Sequence, residues 1–173
     1  FAEPSATITD EDGDGDATTY PDGTPIPLAS VLDTDGGGDP NVAALGAPLV
    51  NDGAVDAVAA LDNEEFVLNL WDRVFGENAT VRWDGGHDQF YELSKFSQFE
   101  TYAESNGYTV NSGTTVPADT SSVDGFVVTS PSTSFTDDEL ADLSSFLADG
   151  GGLVAHSQSD FDNDDETDNL NEL

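Results

Sequence analysis

The chain has 173 residues, enough for one domain of ordinary size or for one domain with an ordered acidic extension. It carries 36 Asp and Glu against 3 Lys and Arg, a formal net charge of −33, so a compact body must repel itself unless salt screens it. At 1 M salt the screening length is ~3 Å, so high K⁺ or Na⁺ is expected to be a condition of folding.

Arg73, Arg82 and Lys95 cannot make a basic stripe, which argues against direct nucleic-acid binding and against docking on anionic lipid. No apolar run approaches the ~20 residues of a membrane span, so no membrane insertion is expected. The absence of cysteine removes disulfides, thiolate metal sites and a cysteine nucleophile. The acid is not confined to loops. It recurs in segments that read as helices, at Glu64, Glu65 and Asp72 and at Asp137, Asp138, Glu139 and Asp142, the whole-surface pattern of halophilic archaea. A chain opening on Phe1 reads as a piece of a longer protein, and the sequon Asn78-Ala79-Thr80 is compatible with an extracellular or cell-surface location.

Residues 1–41 are rich in Asp, Gly, Pro and Thr and read as loop or linker. Within them Asp10, Asp12, Asp14 and Asp16 alternate around Gly13 and Gly15, the opening spacing of a calcium loop, but Pro21 stands where the closing bidentate Glu belongs. Calcium and a solvated acidic linker both remain open. The second acidic cluster, Asp33-Thr34-Asp35 with Asp39, reads first as salt adaptation.

Residues 42–173 read as an α/β domain. Val42-Ala43-Ala44-Leu45-Gly46-Ala47 is a short apolar run that reads as a buried strand, followed by a helix that Asp62 caps and that turns Phe66, Leu70 and Phe75, with Val67 and Trp71, inward until Gly76 ends it. A strand from Thr80 to Trp83 runs into Asp84-Gly85-Gly86-His87-Asp88. Phe90, Leu93, Phe96, Phe99 and Tyr102 then mark an amphipathic helix ending near Asn106-Gly107. Tyr108-Thr109-Val110 is an edge strand and Gly125-Phe126-Val127-Val128-Thr129 a central one. Thr136 and Glu139 form a capping box for a helix that buries Leu140, Leu143, Phe146 and Leu147. Gly150-Gly151-Gly152 turns the chain into the buried strand Leu153-Val154-Ala155-His156, and an acidic end over 161–173 completes it. This alternation predicts an α/β fold with a mostly parallel sheet flanked by helices, and places any site at the strand C-terminal ends.

Trp83-Asp84-Gly85-Gly86-His87, Gly107-Tyr108-Thr109-Val110, and Phe135-Thr136-Asp137-Asp138-Glu139-Leu140 leading to Gly150-Gly151-Gly152-Leu153 resemble class I glutamine-amidotransferase-like domains. The likeness is to the non-amidotransferase branch of archaeal and bacterial surface proteins. It implies a flavodoxin-like sheet over residues 80–160. Residues 42–76 look like the closing strand and helix of the same fold, standing before the opening strand. Either the domain is permuted and closes on itself, or the chain spans two repeats. No nucleophile elbow stands at a strand end, since there is no Cys and no Gly-x-Ser-x-Gly.

Both histidines, His87 and His156, fall at strand ends, with Asp84, Asp88, Ser157 and Asp160 near in sequence. If their strands are neighbours, Asp84, His87, His156 and Asp160 offer a ligand set for zinc or another divalent ion, and hydrolysis by metal-bound water. The competing reading is that strand-end polar groups satisfy turn backbone. Trp83, Phe90 and Tyr91 flank the His87 loop and serve either as core or as the lining of a cleft for a sugar or peptide. Three functions follow: a non-enzymatic module of an extracellular haloarchaeal protein that binds a ligand or neighbouring domains, a metal-dependent hydrolase or its accessory domain, and a self-assembling surface subunit.

Overall fold

The computed structural model describes residues 29–34, 36–53, 62–158 and 166–173. Its six strands are β1 Ala29–Leu32, β2 Val42–Leu45, β3 Thr80–Asp84, β4 Thr109–Gly113, β5 Gly125–Thr129 and β6 Gly152–His156. The helices among the described residues are α1 Asn63–Val74, α2 Ser97–Ser105, α3 Asp137–Ala148 and the short α4 Glu166–Asn171, with a 3₁₀ turn at Leu93–Lys95.

The sheet order is β1-β2-β6-β5-β3-β4, parallel throughout except for the β1–β2 pair. Counted from β3, the parallel strands stand in the order second, first, third, fourth, fifth, which is the flavodoxin-like arrangement. The fifth strand is β2, which precedes all the other parallel strands in the chain. Val42 pairs with Leu153 and Leu45 with His156, so β2 closes the chain's own sheet rather than belonging to a second repeat.

Strand residues alternate between two apolar layers. Ala43, Leu45, Val81, Trp83, Val127 and Val154 face α1 and α2, where they meet Trp71, Phe96 and Phe99. Phe126, Val128 and Leu153 face α3 and meet Phe135, Leu143 and Phe146, with Leu170 and Leu173 packed alongside. All residues of β5 and β6 are buried, as a strand covered on both faces must be.

Four expectations change. Residues 29–32, expected as loop, form edge strand β1; Ala29-Ser30-Val31-Leu32 is too short to show a period, and all four residues are exposed. In α1 the inward stripe is Val67, Leu68, Trp71 and Val74, while Phe66, about 100° round the helix from Val67, is 46% exposed. Asp62 occupies the N-cap but its side chain caps nothing, because its ψ of 38° is not the extended geometry an N-cap side chain needs. The aromatic run after β3 is also not one helix. Phe90 lies outside it, Leu93–Lys95 form the 3₁₀ turn, and α2 starts at Ser97, where Asp52 accepts from Gln98 N and Ser97 Oγ.

The Thr136 box forms as expected, with Glu139 N donating to Thr136 Oγ1 at 3.3 Å and Thr136 N to Glu139 Oε2 at 2.9 Å. α3 ends in a Schellman motif: Gly150, at φ +90°, donates to Leu147 O, and Gly151 donates to Phe146 O.

α1 approaches the sheet so closely that only glycine fits beneath it. A Cβ on Gly152 would sit 2.5 Å from the Val74 carbonyl oxygen, and one on Gly125 would sit 2.6 Å from the Phe75 ring. Gly152→Ala must therefore push a helix backbone off the sheet. We expect it to cost about 2 kcal/mol and to lower the Tm in molar KCl by roughly 4–8 °C. An unchanged melting curve would mean that α1 has slack the structure does not show.

Candidate functional site at the C-terminal ends of the strands

The strand order reverses between β3 and β5, so the crevice in which a doubly wound sheet holds ligands lies beyond Asp84 and Thr129. Alternation aims Trp83 at the α1–α2 layer and its neighbour Asp84 at the α3 layer.

From Asp84 the chain ties itself into a closed set of hydrogen bonds. Asp84 Oδ1 accepts from Gly86 N at 3.0 Å, and Asp84 Oδ2 lies 2.8 Å from His87 Nδ1. His87 N donates to Gln89 Oε1 at 3.2 Å, and Gln89 Nε2 donates back to the Asp84 carbonyl. Asp88 completes the turn in the left-handed region at φ +50°. The His87 ring stacks on Phe135, centroids 3.7 Å apart, and its Nε2 stands 3.5 Å from Glu139 Oε1 at the start of α3. Its carbonyl accepts from Ser132 N and Thr133 N. The same 131–134 loop is held from the other side by α4, where Asn169 Nδ2 donates to Pro131 O and Ser134 Oγ donates to Asn169 Oδ1.

Glu139 has its carboxyl held below the ordinary range, chiefly because Thr136 donates to it through side chain and backbone, with the nearby His87 a smaller influence. It is the partner that reading the sequence for a cap did not connect to His87. A helix N-terminus packed on a strand end is the only signal that would have joined them, and it is tertiary. Ser130, at φ +44° and buried at the end of β5, was also not legible; its N donates to His156 O at 3.1 Å.

His156 does not join this set. It lies on the opposite face, 0% exposed, its ring 6.1 Å from both Trp83 and Phe96. The condition for a two-histidine metal centre, convergence of the imidazoles, is therefore not met, although their strands both belong to the central sheet. Among the described residues no group of three or more His, Asp or Glu side chains is disposed to hold a metal ion. Asp160 and the proposed calcium ligands Asp10, Asp12, Asp14 and Asp16 lie outside the described residues. In the second acidic cluster Asp33 accepts from Gly36 N and Gly38 N, so this carboxylate fixes a turn.

The aromatic trio also divides. Trp83 is core, donating through Nε1 to Tyr91 O at 3.4 Å, while Phe90 is 60% exposed at the mouth of the crevice. No protein-family model matches the chain, and no curated protein or solved structure is significantly similar to it.

Neither His156 ring nitrogen has a hydrogen-bond partner of good geometry. Burial pushes its pKa from 6.5 down to about 4, with the backbone of Ala47 offsetting a little of this. The unfolded chain takes up a proton below pH 6.5 that the folded chain refuses, so stability from this residue is lost from pH 6.5 down to about 4, roughly 3 kcal/mol in all. We expect His156→Leu to flatten that part of the pH–stability curve relative to wild type, read by thermal unfolding in molar KCl between pH 7.5 and 4. Parallel curves would show that the imidazole is not sealed.

Proposed function

We propose that the chain is a salt-adapted, non-enzymatic module of an extracellular haloarchaeal protein, which binds a ligand or holds neighbouring domains. One observation carries this reading: the polar side chains at the switch point are bonded to one another and to the fold. Asp84 and Gln89 serve the turn, His87 lies between Asp84 and Glu139 against Phe135, and Glu139 is engaged in the Thr136 box. A general base needs a free lone pair within reach of substrate, and His87 has a carboxylate at each nitrogen. The competing arrangement, hydrolysis through a metal shared by both histidines, loses its support in their placement on opposite faces. The net charge of −33 supports the salt-adapted part of the reading.

On this reading His87 stabilises rather than reacts. His87→Ala leaves the buried Asp84 carboxylate without its imidazole, and we expect a loss of about 3 kcal/mol in thermal unfolding. The reading fails if the wild-type protein hydrolyses an ester, phosphoester or glycoside substrate and His87→Ala removes that turnover while the Tm stays unchanged. Dilution from molar to about 0.1 M KCl, where the Debye length grows to ~10 Å, is expected to unfold the protein, as seen by circular dichroism. Retention of the folded spectrum there would sink salt dependence.

A further inference from the structure

The two edges of the sheet are built differently. At one, β4 turns Val110 inward, 5% exposed, and presents the polar Thr109, Asn111 and Ser112 to solvent. At the other, β1 is exposed along its whole length, Val31 to 52% and Leu32 to 59%. Register explains why both of its faces are open. Val31 pairs with Ala43, which belongs to the α1–α2 layer, and Leu32 pairs with Val42, which packs in the α3 layer, but neither layer extends over β1.

An open strand edge is a template for another strand, and natural sheets blunt it with a charge, a proline or a bulge. β1 carries none of these: it is Ala29-Ser30-Val31-Leu32, paired without a break to β2. A carboxylate is the side chain this protein uses most freely, in 36 of its 173 residues, yet the edge has none. A groove of about 410 Å³ runs along the α3 face of β1 and β2, and no charged side chain lines it either. The acid next along the chain, Asp33, is turned back on its own loop, accepting from Gly36 N at 2.6 Å and from Gly38 N at 2.8 Å.

We infer that β1 is a self-association edge, at which two copies of the chain pair antiparallel about a two-fold axis and join their sheets. Side-chain alternation restricts the register. Opposed residues on antiparallel strands share a face, so the axis must pass beside one residue that opposes its own copy. Two centres keep three residues of each β1 paired. Ser30 leaves Leu32 outside the contact, whereas Val31 brings both exposed apolar side chains into it. With that centre Val31 opposes Val31 of the second copy on the α1–α2 side, and on the α3 side each Leu32 opposes a Ser30, large against small. The strand therefore supplies the uncharged partner that its own edge calls for. The two Asp33 residues fall about 13 Å apart along the strands. Molar salt, with a screening length of ~3 Å, confines repulsion between two acidic bodies to groups in contact, and no paired residue of β1 is charged. Apolar burial and main-chain hydrogen bonds do not depend on that screening.

The test is sedimentation of the full chain in molar KCl at concentrations up to about 1 mM, since so short an edge makes a weak, reversible contact. We expect monomer and dimer in concentration-dependent exchange. Val31→Glu and Leu32→Glu should each raise the dissociation constant roughly tenfold or more. Their melting temperatures, measured on dilute protein, should match wild type because both side chains are exposed. The chain has no cysteine, so the register can be read separately by mild oxidation with diamide. Val31→Cys should yield a disulfide-linked dimer. Leu32→Cys should not, because its two copies lie two residues out of step, roughly 8 Å apart and too far to bridge. A chain that stays monomeric at every concentration overturns the inference and gives the edge to a strand of another domain. A dimer that Val31→Glu and Leu32→Glu leave undiminished, or cross-linking through Leu32→Cys in preference to Val31→Cys, overturns it as well.

Discussion

Everything in this fold follows from the need to hold together a body whose surface repels itself. With 3 cationic side chains against 36 anionic ones, ion pairing cannot supply cohesion, and the two apolar layers on either side of one sheet must. That is why β5 and β6 carry no charged residue, and why glycine stands at Gly125 and Gly152, where α1 comes down on the strands. Closer approach increases dispersion contact in a core that has little else to draw on.

The two histidines show how strand alternation separates groups that look equivalent in one dimension. His156 ends a strand with its side chain turned to the α1–α2 layer, beside Trp83 and Phe96, where burial away from water disfavours its charged form more than the Ala47 backbone favours it. His87 follows Asp84, which alternation turns the other way, and so meets the N-terminal turn of α3. The result is a clasp: β3 is joined through one imidazole to α3, and through the His87 carbonyl to the loop that α4 holds.

What the sequence made legible was set by how local each signal is. The Thr136–Glu139 box and the Gly150 turn are complete within a few residues, and both formed as read. The apolar runs at Gly125 and Leu153 announced strands covered on both faces, whereas the run at Val42, expected to be buried as well, forms a strand that leaves Ala44 exposed. Asp62 misled because residue type alone does not carry backbone angles, and Phe90 misled because aromatic residues three apart also suit a turn followed by a helix. Strand ends and their histidines were readable; which face each addressed was not, since that depends on register among strands far apart in sequence. The pairing of His87 with Glu139 needed the third dimension.

The position of β2 has a consequence in time. It is inserted between β1 and β6, and its register runs from Val42↔Leu153 to Leu45↔His156. During synthesis the strand that will close the sheet emerges first, and its partner follows on the order of ten seconds later at ordinary elongation rates. Throughout that interval Ala43 and Leu45, and the inward stripe of α1, have no sheet to cover them. A nascent chain in that state is open to association through its apolar faces until Gly152–His156 arrives, and in the molar salt that folding requires charge repulsion is screened too closely to keep unfinished copies apart.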